Sequence, residues 1–432
     1  MAIELDRGSP DGTGRAGGRL IPEQFARTES SAWPRSSPAP SRSGISDVSA
    51  RLIKDSFSLA MADPPKAMEY FYARLFVQNP EIRVLFPLAM TQTRLAAFDA
   101  LARLIRSIDS PQVCEQFLSQ LACDHRKFGV KEKHYQPFFD TLLATVEQLA
   151  GPAWTPETTV AWQGALDYFG DVMRAAAAQD AVRQPAWWVG EIVQHDQRTA
   201  TIAVLTIRPD KPLEYLPGQY ISVQVPRWPK AWRTYSIANA PRDNGLLDIH
   251  VRAVPGGVLS TALVSHCGTT DALVLGPARG DMRVEPEAER DLVCVAGGTG
   301  LAPVKAIIES VICATRHGRR RAITLYLGVR RPEDLYDMRD LNTLQLAYPS
   351  LTVTAVTGPE RGAAGLAGGL DEVVGRHPSF RDTDVYISGP WGMVCQTIRV
   401  LSRRVPADRL HHDPLHALRA ASRPASEDYL SR

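Results

Sequence analysis

The chain has 432 residues, room for about three domains at about 150 residues each. Its net charge of +2, with 44% hydrophobic and 22% charged residues, is that of an ordinary globular protein. These values exclude a single small module and the strong basicity that would make nucleic acid a default partner.

Twenty of the first fifty residues are Gly, Ser or Pro, and this stretch has no apolar core of signal-peptide type, so residues 1–45 read as a disordered leader. No run approaches the ~20 apolar residues of a membrane span, which argues against a membrane partner. Cys114, Cys123, Cys267, Cys294, Cys313 and Cys395 include no CxxC pair. In a chain that needs no disulfide staples they read as reduced thiols in a cytoplasm.

Residues 46–183 carry helical apolar spacing, scarce Gly, and breakers at Asn79-Pro80, Pro87, Ser110-Pro111 and Gly151-Pro152. The spacing predicts six helices, over 48–61, 64–78, 92–108, 111–127, 133–150 and 156–178. Leu118, Leu121, Ala122, His125 and Phe128 fall on one stripe, so the His125 imidazole projects inward with apolar neighbours. On periodicity alone His125 is either a hydrogen-bonded core residue or an iron ligand, since haem needs one neutral imidazole in an apolar pocket. Tyr72 is likewise either a core aromatic or a phenol placed to donate a hydrogen bond to a bound ligand.

The runs Glu69-Tyr70-Phe71-Tyr72-Ala73-Arg74-Leu75-Phe76 and Asn79-Pro80-Glu81-Ile82-Arg83-Val84-Leu85-Phe86-Pro87, the segment CDHRKFGVKEKHY and Trp162 together resemble the globin domain of the flavohaemoglobins. The resemblance makes His125 the proximal iron ligand of haem b, Tyr72 the distal tyrosine, Phe86 the ring that wedges against the porphyrin, and Tyr135 the tyrosine that supports the ligand histidine. Two positions depart from the family pattern. With the helix beginning at Thr91 aligned through Phe98, the distal glutamine falls on Thr93, with Gln92 one residue away. The proximal partner glutamate falls near Ala177. A ligand histidine without that carboxylate has less imidazolate character and gives a weaker electron push.

Beyond Arg183 the pattern changes to alternating β-branched runs: WWVGEIVQ, TATIAVLTI, YISVQV, TYSIA and LLDIHVRAV. Turn signals separate them at Pro217-Gly218, Asp243-Asn244-Gly245 and Pro255-Gly256-Gly257, predicting an antiparallel β-barrel domain over 184–285. From Leu292 strands alternate with helices, which predicts a doubly wound parallel sheet, an α/β domain over 286–415, followed by a tail over 416–432.

Barrel and sheet in this order resemble the ferredoxin–NADP⁺ reductase family. Arg233, Tyr235 and Ser236 form an R-x-Y-S element. Its cation, flat aromatic and hydroxyl suit a flavin's pyrophosphate, ring face and reactive nitrogen. Gly218, Gln219 and Tyr220 form a second flavin segment. Gly256, Gly257 and Ser260 resemble the turn and helix start that take the flavin pyrophosphate. Gly297, Gly298, Thr299 and Gly300, between a buried strand and a helix, match the nicotinamide glycine turn. Ser388, Gly389 and Pro390, with Met393 following, match the segment near the nicotinamide ring, with serine where the family has cysteine. Leu415 stands where the family has an aromatic cover for the flavin. Arg330 and Arg331, after the second strand of the sheet, suit either a 2′-phosphate or solvent. His411, His412 and His416 make no closed metal site and read as surface.

The resemblance implies a three-domain oxidoreductase: an all-α globin, an FAD barrel and a nicotinamide α/β domain. The expected cofactors are haem b, FAD and NADH or NADPH. Its substrates are O₂ and NO, and NO is oxidised to nitrate as in a nitric oxide dioxygenase. No obligate protein partner is expected. The alternatives are an NAD(P)H-dependent haem or flavin reductase without efficient nitric oxide chemistry, and a haem-based gas or redox sensor.

Overall fold

A computed structural model of the chain describes residues 45–285, 288–314, 320–358, 366–367 and 369–413. The leader through Gly44, Leu415, His416 and the tail over 416–432 lie outside the described residues.

Six helices open the fold: α1 (Asp47–Ala60), α2 (Pro64–Gln78), α3 (Thr91–Arg106), α4 (Pro111–His125), α5 (Tyr135–Ala150) and α6 (Pro156–Arg183). Their starts are set by local chemistry. Ser46, Asp63 and Thr155 each accept a hydrogen bond from a backbone N–H of the first turn, and proline at the first position begins α2, α4 and α6. α4 stops at His125. A single 3₁₀ turn, Arg126–Phe128, then passes into Gly129 at φ 82°, a left-handed cap that glycine adopts without strain. The helices share one core around Trp162, Phe71, Phe169, Ile53 and Leu118. The indole of Trp162 is fully buried and donates to Ser56 Oγ at 2.9 Å, tying α6 to α1. The sequence ends the last helix at 178, whereas α6 continues to Arg183. Asp180, buried on its last turns, holds Arg126 and the Gln184 amide there.

A six-stranded antiparallel sheet follows, in the order β4 (Arg233–Ser236), β3 (Tyr220–Gln224), β6 (Ala272–Leu275), β1 (Trp188–Gln197), β2 (Ile202–Pro209), β5 (Leu247–Arg252). A bridge from Ile237 to Ile249 brings the two edge strands together, so the sheet closes nearly into a barrel. Ile192, Leu205, Ile207, Ile221, Val223, Leu247, Ile249 and Leu273 fill its interior. The short helix α7 (Val258–Ser265) packs beside β5.

The third region is a parallel sheet in the order β10 (Leu366–Ala367), β9 (Leu351–Thr357), β8 (Ile323–Val329), β7 (Asp291–Gly297), β11 (Thr383–Ser388), β12 (Leu410–His412). Its helices are α8 (Leu301–Ala314), α9 (Met338–Ala347), α10 (Leu370–Gly375) and α11 (Trp391–Leu401). β7 reads as a continuous apolar run because both faces are covered. Leu292, Cys294 and Ala296 join one core, and Val293 and Val295 join another. Strand order reverses between β7 and β11, which makes the space beyond their carboxyl ends the topological switch point.

The structure corrects one reading of the sequence. His411 and His412 are not surface residues of a tail. They form β12, paired in parallel with β11, and the His411 ring stacks on Tyr386 at 4.6 Å. Tertiary pairing supplies this strand, since three residues are too few to show an alternating pattern.

Candidate functional sites of the helical, barrel and sheet regions

In the helical region α2 carries Tyr72 into the core at 2% exposure. Its ring stands edge-on to Phe71 at 5.0 Å and to Phe86 at 5.5 Å, so Tyr72 and Phe86 are direct neighbours. Burial pushes the Tyr72 hydroxyl pKa up, with the nearby Arg94 charge acting the other way, so the phenol stays protonated and able to donate. Thr93 and Gln92 sit half-buried on the first turn of α3. The Thr93 hydroxyl makes no hydrogen bond among the described residues.

His125 ends α4. Burial lowers its pKa to about 4, with Asp124 opposing and Lys127 adding to the shift, so the imidazole is neutral. Neither ring nitrogen has a hydrogen-bond partner among the described residues. The ring is closely surrounded by protein yet keeps some accessible surface, as a side chain facing a cleft does. Leu85, Phe86, Phe98, Leu121, Val130 and Phe138 are likewise only partly buried against the helical core. Tyr135, on the first turn of α5, is buried and stacks on Phe139 at 6.3 Å. No hydrogen bond joins it to His125 among the described residues. Ala177 is half-buried on α6, and the neighbouring Ala176 carbonyl takes a weak contact from Cys123 Sγ at 3.9 Å.

The residues after His125 are tied down on two sides. Arg126 donates to the Asp180 carboxylate and, at 2.9 Å, to the Gln184 carbonyl. Arg279 of the barrel lies 3.6 Å from Asp124 and 3.7 Å from Asp180. Lys127 Nζ donates to Ser222 Oγ on β3 at 2.9 Å.

In the barrel, β3 and β4 pair so that Tyr220 lies opposite Ser236 and Ile221 opposite Tyr235. The two segments expected to border a flavin are therefore adjacent. Arg233 is exposed, and Tyr235 and Ser236 are half-buried. Burial raises the pKa of Tyr235, and that of Tyr220 to about 12, so both phenols are neutral. Gly218 is required by its surroundings: at φ 97° a Cβ would lie 1.9 Å from the Met282 carbonyl oxygen. Gln219 braces that turn, accepting from Leu216 N–H at 2.8 Å and donating to the Gly280 carbonyl at 3.2 Å.

Gly256 and Gly257 precede α7 beyond β5, the strand that bridges to the end of β4. The Ser260 hydroxyl is engaged within this turn, donating to the Gly257 carbonyl at 3.1 Å and accepting from Val254 N–H at 3.2 Å.

In the sheet region the structure brings both predicted motifs together at the switch point. Gly297, Gly298, Thr299 and Gly300 form the turn from β7 into α8, and Ser388, Gly389 and Pro390 leave β11 beside it. A Cβ on Gly300 would meet Ser388 O at 2.5 Å, and one on Gly297 would meet Met393 Sδ at 2.6 Å. The buried Ser388 thus contributes backbone to the wall of this turn. Arg330 and Arg331 follow β8 and are exposed.

The residues fit the three groups their motifs imply. The helical region offers one neutral, unengaged imidazole and apolar side chains left partly exposed, and Arg94 Nε is buried there without a partner. The barrel offers the outward Arg233 beside Trp232, whose indole Nε1 is buried without a partner. An unsatisfied buried donor costs about 1–3 kcal/mol. The sheet offers a helix N-terminus with close backbone approach at the switch point.

Sequence reasoning missed several of these residues. Trp232 directly precedes the R-x-Y-S element, and its position there was the available signal. Lys127 had none, because its partner Ser222 lies far along the chain, and Arg94 had none either. Asp413, beyond β12, is a carboxyl whose burial pushes its pKa up to about 6, and its charge acts on Tyr220. Two ion-pair groups join barrel and sheet. Arg198 of the barrel meets Asp340 at 3.0 Å, and Lys305 of α8 meets Asp337 at 2.8 Å and Asp340 at 3.1 Å. Arg252 of β5 meets Asp334 at 3.2 Å.

Three domain families match the chain: globin over residues 69–173, the oxidoreductase FAD-binding domain over 189–282, and the oxidoreductase NAD-binding domain over 294–398. A flavohemoprotein of Bordetella pertussis is 29% identical over 354 residues, which cover 74% of this chain and 86% of that protein. The ferredoxin–NAD(P)⁺ reductase component of the naphthalene 1,2-dioxygenase system of Pseudomonas putida is 37% identical over 185 residues, 42% of this chain and 55% of that one. The structure of a flavohemoglobin from Malassezia yamatoensis with bound FAD and heme has the same fold, with a TM-score of 0.71 over 86% of this chain and 99% of that one at 17% identity.

Proposed function

The chain belongs with the flavohemoproteins, oxidoreductases that join a globin to FAD-binding and NAD-binding domains, and from that premise we propose that it is a nitric oxide dioxygenase. In this reading it oxidises NO to nitrate with O₂ at the expense of NADH or NADPH, in the cytoplasm. Haem would supply iron that binds dioxygen, and FAD would divide a hydride's two electrons into single ones.

The observation that carries the reading is the state of His125: neutral, enclosed, and with both ring nitrogens unengaged. An imidazole in that state is ready to ligate iron without first losing a proton or a hydrogen bond. The chain's other residues have consistent work. Tyr72 keeps its proton and donates to a bound diatomic ligand, while Phe86 excludes water beside it. Thr93 stands at the distal helix start, and Tyr135 packs on the proximal side. Arg233 takes the flavin pyrophosphate, Tyr220, Tyr235 and Ser236 border its ring, and Gly256, Gly257 and Ser260 shape the turn against it. The Gly297–Gly300 turn and Ser388–Pro390 hold the nicotinamide dinucleotide. Six unpaired cysteines accord with the cytoplasm.

A second reading, an NAD(P)H-dependent haem or flavin reductase, is favoured by one feature. Tyr135 makes no hydrogen bond to His125 and Ala177 carries no carboxylate, so the histidine lacks the partner that strengthens electron push.

Purified, oxygen-free protein is mixed with NADH while flavin and haem absorption are followed together, with His125→Ala as the haem-free control. Bleaching of flavin followed by conversion of ferric to ferrous haem, and then NO-dependent NADH use with nitrate as product, is the expected course. Flavin reduction with haem left ferric, or absent, overturns the dioxygenase reading in favour of the reductase.

A further inference from the structure

The helical region and the barrel meet around a pair of rings. Phe128, three residues beyond His125, stands edge-to-face with His125 at 6.4 Å and 63°, and with Trp232 of the barrel at 6.2 Å and 87°. Trp232 directly precedes Arg233, the first residue of the flavin strand β4. A three-ring series therefore runs from the N-terminal end of β4 to the imidazole. It joins residues more than a hundred positions apart in sequence.

The series is held in place. Lys127 Nζ lies 5.2 Å from the Phe128 ring centroid and 6.0 Å from that of Trp232, within reach of a cation–π attraction to both. That ammonium is fixed to β3 through Ser222. Lys230 of the barrel reaches the Phe128 carbonyl at 3.5 Å. The indole Nε1 of Trp232 is buried and makes no hydrogen bond among the described residues.

We propose that Trp232 and Phe128 are positioning residues for electron passage, forming the aromatic path from the flavin-binding strand to His125, with Lys127 keeping the two rings in register. The inference rests on the reading that flavin and haem are both bound. A bound flavin would supply the two-electron acceptor for a hydride from NADH, leaving NAD⁺. One electron would pass to ferric iron, the second would follow only after turnover of O₂ with NO had returned the iron to the ferric state, and the hydride's proton would go to solvent. The rings end each passage unchanged. They act by filling the gap between donor and acceptor with polarisable π systems, through which electronic coupling falls less steeply than through saturated side chains or space.

The test compares Trp232→Phe with Trp232→Leu in the full chain loaded with haem and FAD. In anaerobic mixing with NADH, the ratio of the haem-reduction rate to the flavin-reduction rate is read from the same traces. Midpoint potentials of both groups are measured by spectroelectrochemistry, so that rates are compared at known driving force. Trp232→Phe is expected to keep the ratio within about twofold of wild type, and Trp232→Leu to lower it by about tenfold or more at equal driving force. A separate readout uses protein stripped of both groups: adding FAD should quench a tryptophan emission in the wild-type chain that is absent from Trp232→Phe. Where Trp232→Leu does not fold, Phe128→Leu reads the same ratio.

Equal ratios for the phenylalanine and leucine variants, or identical quenching with and without Trp232, overturn the path alone. Wild-type protein that reduces its flavin but never its haem overturns both the path and the reading beneath it.

Discussion

Gly300, immediately before α8, leaves no room for a side chain against the backbone of Ser388, at the end of β11. A methyl group on Gly300 would sit 2.5 Å from the Ser388 carbonyl oxygen and 2.7 Å from Gly389 Cα. Both are main-chain atoms, so neither can swing aside. The contact sets how closely the turn before α8 lies against the end of β11, where strand order reverses and a dinucleotide is expected.

Gly300→Ala must therefore push the turn away from the end of β11. We expect a loss of about 1–3 kcal/mol in thermal unfolding, the usual cost of overpacking, with weaker NADH binding by titration. Gly164→Ala is the control. It lies in α6 with nothing within 4 Å of its Cβ position and should stabilise by about 1 kcal/mol through helix propensity. Equal effects at the two positions would show that the contact is not what matters.

Asp180 anchors the end of α4. It accepts from Arg126, whose side chain is 12% exposed, and from Gln184 at 2.8 Å, with Arg279 nearby. Asp180→Asn strips the only close carboxylate from Arg126 among the described residues and leaves a nearly buried cation uncompensated, at a cost of about 3–5 kcal/mol. Chemical denaturation should show this loss. Asp180→Asn with Arg126→Met should recover much of it, because the stranded charge is then gone. No recovery in the double variant would mean that Asp180 works through another partner.

The legibility of the fold in the sequence follows the range of the interactions involved. α1 to α5 begin and end within a few residues of their expected places because the signals are local: Ser46, Asp63, Pro64, Pro111 and the apolar stripe. The strand-then-helix rhythm after Leu292 likewise showed a parallel sheet. β12 was hidden because His411 and His412 become strand only by pairing with Tyr386 and its neighbours. Trp232 was visible as the residue before the R-x-Y-S element, but its contact with Phe128, far upstream, was not. The glycine turn was legible as a turn, but Ser388's backbone role in walling it was not, since a motif names side chains and this contact uses a carbonyl.

His250 and Tyr336 give the barrel–sheet junction a pH dependence. His250 Nδ1 and the Tyr336 hydroxyl are 2.7 Å apart, and both side chains are buried. Burial, with the Lys305 and Arg198 charges adding to it and Asp340 opposing, holds the His250 pKa well below its ordinary value. The folded state thus resists a proton that the unfolded chain accepts near pH 6.5. Stability from this residue is fully present above about pH 6.5 and is lost progressively as pH falls below it. Melting temperature recorded from pH 8 to pH 5 should decline over the acid half in the wild type and decline less in His250→Gln. Parallel curves would assign the acid sensitivity to other groups.

Tyr72→Phe separates the packing of the helical core from the chemistry proposed for it. The ring's contacts with Phe71, Phe76 and Phe86 all use its faces and edges, and phenylalanine keeps them. The hydroxyl makes no hydrogen bond among the described residues, so its removal should change the stability of the haem-free protein by less than about 1 kcal/mol. In the haem-loaded protein the same change removes the donor proposed for bound dioxygen, whose charge-assisted hydrogen bond would be worth about 1.5–3 kcal/mol. Oxygen dissociation measured by ligand replacement should then accelerate by roughly tenfold to a hundredfold. An unchanged dissociation rate would return Tyr72 to the role of a core aromatic, whereas a large loss of stability without haem would show a structural use for its hydroxyl.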